Sequence, residues 1–159
     1  VVKAYSSCVG EGPFTCEWFG PEAEELREAG DEYGAKTGRP RRVGPIDLVA
    51  SRYGVRMQGA TNIALTKLDV LSYMERIPVC AAYEVNGQIT HEFPFPVLLD
   101  QAKPVTEHLP GWHCDISGVR TWEELPQAAR DYVTYVEQAI GCRIGYVSVG
   151  AERDSLILR

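Results

Sequence analysis

The sequence has five cysteines (Cys8, Cys16, Cys80, Cys114 and Cys142) but no C-x-x-C pair. An odd number without paired spacing forms no disulfide framework, and a reducing, cytoplasmic setting is the simplest home for such thiols. His113-Cys114, with His91 and His108 nearby, lacks the ligand spacings of structural zinc, so no metal site is expected. No run approaches the ~20 apolar residues of a membrane span, which leaves no membrane partner. The first residues, Val1-Val2-Lys3-Ala4-Tyr5, read as a strand already under way and carry no secretion-signal pattern, so the chain is expected to be a piece of something longer. Positive charge is also in short supply. Sixteen Lys and Arg against 22 Asp and Glu leave a net charge of -6, which argues against a nucleic-acid partner and confines any anion site to a local patch. The glycine-rich turn Val9-Gly10-Glu11-Gly12-Pro13-Phe14 lacks the Gly-Lys-Ser/Thr ending of a phosphate-binding loop and reads as a tight turn only.

What remains reads as one domain over residues 1–159, undivided by repeats or Ser/Gly-rich linkers. Pro21 to Ala29 has proline and acidic residues in its first turn and Gly30 after it, the marks of a short helix. Gly34 to Gly44 is then a loop. Ile46, Val49, Ala50 and Tyr53 recur at helical spacing and predict a second helix over 46–53, ended by Gly54 or Gly59. Asn62 to Thr66 is a short buried strand. Val79-Ala81-Tyr83-Val85 and Ile89-His91-Phe93 flank Asn86-Gly87, whose tolerance of positive φ predicts a two-residue hairpin. Thr121-x-x-Glu124 has capping-box spacing ahead of the stripe Ala129, Tyr132, Val133, Val136 and Ile140, with Gly141 as the stop. Arg143–Val147 and Leu156–Leu158 close the chain as strands around Ser148-Val149-Gly150. Helices mixed with antiparallel hairpins predict an α+β fold.

Two segments offer chemistry. Thr37-Gly38-Arg39-Pro40-Arg41-Arg42 concentrates guanidinium groups in a glycine-bounded loop, where side-chain forks and backbone N–H groups can meet one anion. Equally, these arginines can pair with the acidic stretch at Glu22, Glu24, Glu25 and Glu28. Two glycines and a proline give the loop little structure of its own. Thr66-Lys67-Leu68-Asp69, at a strand end, resembles the box through which GTP-binding proteins read guanine. A carboxylate there accepts from the ring N–H and the exocyclic amino group, while adenine lacks both donors on that edge. Its alternative is a helix cap at Asp69.

Taken in order, KAY, VGEGPF, GAKTGRPRRVG, ALTKLDVL, CAAYEVNG, LPGW, LPQAA and the final ILR are similar to the C-terminal part of adenylosuccinate synthetase, over essentially the whole chain. That family is a GTP-dependent ligase of larger α/β build, which joins L-aspartate to inosine monophosphate (IMP) by first phosphorylating the 6-oxygen. The resemblance implies that Ala35, Lys36, Thr37, Gly38, Arg39, Pro40 and Arg41 form the aspartate loop. It places Arg39 and Val9 at IMP, and Arg41, Lys67, Leu68, Asp69, Ser148, Val149 and Gly150 at GTP. It also implies a cytoplasmic homodimer. The phosphate loop, the Mg2+ site and the catalytic residues fall upstream of this sequence, so the chain alone is expected to be inactive. Departures from the family pattern are Cys8 for an arginine, Thr15-Cys16 for Pro-Thr, Lys36 for a second threonine, Pro40 for an arginine and Ala151 for a proline; the main contacts are intact. A free-standing guanine-nucleotide or RNA-binding module, or a structural fragment that only keeps the fold, are the rival readings.

Overall fold

The computed structural model describes all 159 residues. The opening strand is split into β1 (Val2–Lys3) and β2 (Tyr5–Cys8). Ala4 between them donates to the Thr66 carbonyl at 2.8 Å and accepts from the Tyr132 hydroxyl at 2.6 Å, so the chain passes from one sheet to another with both backbone groups satisfied. Helix α1 (Pro21–Gly30) begins as expected, but Gly30 lies inside its last turn and Asp31 takes the left-handed cap at φ 47°. Gly30 is needed for space: a Cβ there would come within 2.5 Å of the Tyr5 hydroxyl.

The second helix forms, but its start is displaced. Arg42 to Asp47 is strand β3 and only Leu48–Gln58 is helix α2, whereas the sequence reading ran the loop to Gly44 and began the helix at Ile46. Ile46 and Asp47 are extended because they pair in parallel with Val79 and Cys80, which satisfies their backbone in a sheet instead of a helix. Asp47 is the cap, accepting from Ala50 N–H at 2.9 Å, and Gly59 at φ 59° ends the helix. Tyr53, expected on the buried face, is 44% exposed.

Strand β4 (Ile63–Thr66) leads through Lys67-Leu68 into a 3-10 turn, Asp69–Tyr73, and then into β5 (Arg76–Val85) and β6 (Gln88–Thr90). Asn86 and Gly87, at φ 52° and 79°, make the expected hairpin. A four-residue helix α3 (Pro96–Leu99) precedes β7 (Lys103–Pro110), a strand the sequence did not signal. Proline at each end and mostly exposed side chains hide it, and both features are tolerated because it is an edge strand. Helix α4 (Gln127–Ile140) buries all five stripe residues and ends at Gly141 with φ 74°. The Thr121–Glu124 box does not start it: Glu124 accepts from Thr121 N–H at 3.1 Å and closes a separate turn, because Pro126 keeps the residue before it out of helical geometry. Strands β8 (Ile144–Ser148) and β9 (Leu156–Leu158) close the chain.

One sheet runs β1-β4-β8-β9, parallel except for β9. The other runs β2-β3-β5-β6 with β7 along the far edge of β5, and only its β3–β5 pair is parallel. Mixed sheets with four helices agree with the α+β expectation. The α4 stripe packs into one core with Ala4, Tyr5, Leu26, Ile46, Leu65, Leu68, Val147 and Val149. Segments carrying the candidate residues are therefore rooted in the same packed interior. No helix is long and apolar enough to cross a membrane.

Candidate functional site

Leu65 at the end of β4 is fully buried, and the chain beyond it must turn back over the core. Lys67 makes that turn at φ 60°, a conformation that costs about 1 kcal/mol or more in a residue bearing a Cβ. Its Nζ is held on the Gly30 carbonyl at 2.5 Å, across the C-terminal end of α1, where the helix presents its partial negative charge. Leu68 is buried side chain inward, and its N–H donates to the Ser148 carbonyl at 3.2 Å, joining the Lys67–Asp69 segment to Ser148–Gly150. Asp69 follows with Oδ1 buried and without a hydrogen-bond partner. The 3-10 turn it opens has Leu68, not Asp69, at its cap position. Burial pushes the Asp69 carboxyl above its ordinary range, with backbone N–H groups and Lys67 opposing the rise.

Ser148 and Gly150 are tied together, Ser148 Oγ donating to the Gly150 carbonyl at 2.8 Å. Val149 is fully buried and its N–H is taken by the Ser155 carbonyl at 3.0 Å. Leu68 and Val149 are thus enclosed, backbone included, and the surface left to a ligand here is that of the half-buried Ser148 and Gly150. Val9, 78% exposed beyond the end of β2, makes no such junction.

The cationic loop makes backbone hydrogen bonds of its own. Gly34 N–H donates to the Arg39 carbonyl at 2.9 Å, Gly38 N–H to the Gly34 carbonyl at 2.7 Å, and Tyr33 bridges Pro40, so 34–40 closes as a tight turn. Ala35, Lys36, Thr37, Gly38, Arg39 and Pro40 are all exposed on it. The arginines then separate. Arg39 makes no ion pair. Arg42 is structural, bonding Glu17 through Nε at 2.9 Å and the Gly10 and Gly12 carbonyls through Nη1 at 3.1 and 2.9 Å, which pins the Val9–Phe14 turn. Arg41 donates from Nη1 to Glu32 Oε2 at 2.9 Å, leaving its buried Nε without a partner. The acidic stretch at Glu22, Glu24, Glu25 and Glu28 pairs with none of them; Glu17 and Glu32 do.

Glu32 is the residue the sequence reading missed. Its side chain is fully buried; Oε1 accepts from Lys3 Nζ at 2.7 Å and from the Tyr5 hydroxyl, and lies 3.9 Å from Lys67 Nζ. Burial alone would raise its pKa, but the hydrogen bonds from Lys3, Tyr5 and Arg41 outweigh it and lower the value to about 2. The split between β1 and β2 places Lys3 and Tyr5 on either side of it, and the left-handed Asp31 turns it inward. A carboxylate between a helix C-terminus and an arginine loop was the available signal.

Elsewhere, Cys16, Asp47 and Cys80 bring ligand atoms within 4.8 Å of one another. Each already has a partner: Cys16 donates to the Pro45 carbonyl at 3.4 Å, Cys80 to the Ala82 carbonyl at 3.6 Å, and Asp47 accepts from Ala50 N–H and the Tyr83 hydroxyl. The cluster braces the start of α2. All five cysteines are free.

Residues 1–157 match the family model described as adenylosuccinate synthetase. The chain is similar to the adenylosuccinate synthetases of Pelobacter propionicus and Geobacter sulfurreducens, 48% identical to each over 159 residues; that alignment takes in 99% of this chain and 37% of each relative. It is also similar to the solved structure of fully ligated adenylosuccinate synthetase from Plasmodium falciparum, with a TM-score of 0.94 at 36% identity, covering all of this chain and 39% of that one. The chain thus spans a little over a third of the length of the relatives it matches.

Proposed function

This chain belongs to the adenylosuccinate synthetase family, and on that premise we propose that it is the C-terminal, aspartate- and guanine-binding domain of a longer ligase in purine biosynthesis. The reaction we assign to that longer protein is the GTP-dependent joining of IMP and L-aspartate to adenylosuccinate. The observation that carries the reading is the buried, unpartnered Asp69 Oδ1 beside a Lys67 held in left-handed geometry. A buried acceptor without a donor costs about 1–3 kcal/mol unless a ligand supplies one, and guanine supplies two in the direction of a carboxylate. Lys67 would lay its stem on the base, and Ser148 and Gly150 would line the opposite side, held in place by the buried Val149 between them.

Arg39, exposed and free of ion pairs, is the group we assign to the carboxylates of aspartate and to IMP, with Thr37 and the backbone of Ala35, Lys36, Gly38 and Pro40 around it. Arg41 faces both ways, one arm on Glu32 and its remaining donors available to GTP. Val9 is assigned to the IMP ribose. When 6-phosphoryl-IMP forms, these groups would hold aspartate by its carboxylates so that its amine attacks C6 and the C6–O bond breaks to release phosphate; positioning of this kind contributes through lost translational freedom. Magnesium needs hard oxygen ligands, which the buried, sulfur-rich cluster of Cys16, Asp47 and Cys80 does not provide, so we assign the ion to the remainder of the polypeptide. The working protein is proposed to be a cytoplasmic homodimer.

Titrating a fluorescent GTP analogue against the 159-residue chain and against the full-length protein tests the reading. Binding and GTP-dependent adenylosuccinate formation are expected from the full-length protein alone. Tight, guanine-selective binding by the isolated chain would instead favour a free-standing nucleotide module.

A further inference from the structure

Glu32 touches both candidate segments without belonging to either. Its backbone carbonyl accepts from Arg41 N–H at 2.9 Å and its side chain from Arg41 Nη1 at 2.9 Å, so one residue sets both the root of the cationic loop and the direction of its last side chain. Lys67 Nζ stands 3.9 Å from the other carboxylate oxygen while resting on the Gly30 carbonyl, two residues before Glu32. Long cationic side chains lose much rotamer freedom when fixed. Without the carboxylate, Lys3, Arg41 and Lys67 would be three neighbouring cations with nothing between them.

We infer that Glu32 is a positioning residue that locks Arg41 and Lys67 into one arrangement, so that filling the cationic loop and filling the guanine pocket favour each other. The inference rests on the functional reading above. Coupling of this kind is reciprocal: if aspartate raises the affinity for GTP through the arrangement Glu32 holds, GTP raises the affinity for aspartate by the same factor. The side chain also has little latitude. Aspartate falls one methylene short of Arg41, and glutamine must aim an NH2 group at a donor, either Arg41 on one side or Lys3 and Tyr5 on the other.

The test is Glu32→Gln in the full-length protein, with separate KM and kcat values for GTP, L-aspartate and IMP, a fluorescent-GTP Kd and a thermal melt. The expected result is a rise of about tenfold in KM for both GTP and aspartate, with kcat falling less than about threefold and Arg39→Leu raising the aspartate value without the GTP value. Should Glu32→Gln fail to fold, Tyr5→Phe removes one donor from the same carboxylate and should raise both KM values together by about threefold. A folded Glu32→Gln protein with a lowered melting temperature and KM values within twofold of wild type would overturn the inference, leaving Glu32 a purely structural ion. A rise in only one of the two would overturn the coupling. A wild-type protein that binds no guanine nucleotide would overturn the functional reading and this inference together, an outcome distinct from an unchanged variant.

Discussion

Asp69 and the loop arginines show how much a single side chain's surroundings decide. Oδ1 of Asp69 is buried and unpaired, and Asp69→Asn would keep the volume while turning one acceptor into a donor, opposed to a guanine N–H in the proposed pocket. The full-length variant should lose about 2–4 kcal/mol of GTP affinity and gain use of xanthosine triphosphate, which carries a carbonyl where guanine has its amino group. Kinetics with both triphosphates on one preparation decide it: unchanged GTP constants would take Asp69 out of the site. Arg39 and Arg41 are neighbours in the loop but differ in what they hold. Arg39 makes no ion pair, so Arg39→Leu should leave stability within about 0.5 kcal/mol while damaging aspartate use. Arg41 satisfies a fully buried carboxylate, so Arg41→Leu should also destabilise the fold, by about 1.5–3 kcal/mol. Equal urea midpoints for the two variants would refute the distinction.

At the scale of elements, the hairpin and the last helix carry their instructions locally. Asn86-Gly87 sits at positive φ because a two-residue turn between twisted strands demands it, and the five-residue stripe of α4 is buried as its 3.6-residue spacing requires. Element boundaries were less legible. Thr121–Glu124 formed its own turn, pairing with β5 drew Ile46-Asp47 from the expected helix into β3, and the edge strand β7 gave no signal between its prolines. The price of misreading β3 was the role of Asp47, which is a cap and the acceptor for the buried Tyr83 hydroxyl. Asp47→Ala should therefore cost more than the ~1 kcal/mol of an ordinary cap, because it also strands Tyr83. Adding Tyr83→Phe should recover part of the loss; a strictly additive double variant in chemical denaturation would show that the two groups do not interact.

For the whole molecule, the acid limb of stability should report Glu32. Its folded pKa of about 2 lies below the ordinary 4.5, so its contribution is fully present above about pH 4.5 and is lost as pH falls towards 2. Denaturant midpoints measured from pH 6 to pH 2.5 should fall more steeply for wild type than for Glu32→Gln, which has no proton to take up there. Parallel profiles would mean that the carboxylate is not held by its donors. The isolated chain should also neither form adenylosuccinate nor hydrolyse GTP, and product above a no-protein control would contradict its proposed dependence on a longer polypeptide.

Sequence alone determined what depends on residue type and short spacing: the mixed helix-and-hairpin class, the α4 core face, the hairpin turn, the cationic loop and the Thr66–Asp69 box. These follow from rules that act within a few residues, where side-chain chemistry and backbone preference are read directly. Only the tertiary structure decided which charges meet. Glu32 lies far along the chain from Lys3, Tyr5 and Lys67, and the sequence holds 22 acidic residues among which none advertises burial. Its role required α1 to end in a left-handed turn, Ala4 to divide the first strand, and β4 to deliver Lys67 over the same spot, and a carboxylate's partners are set by that convergence in space.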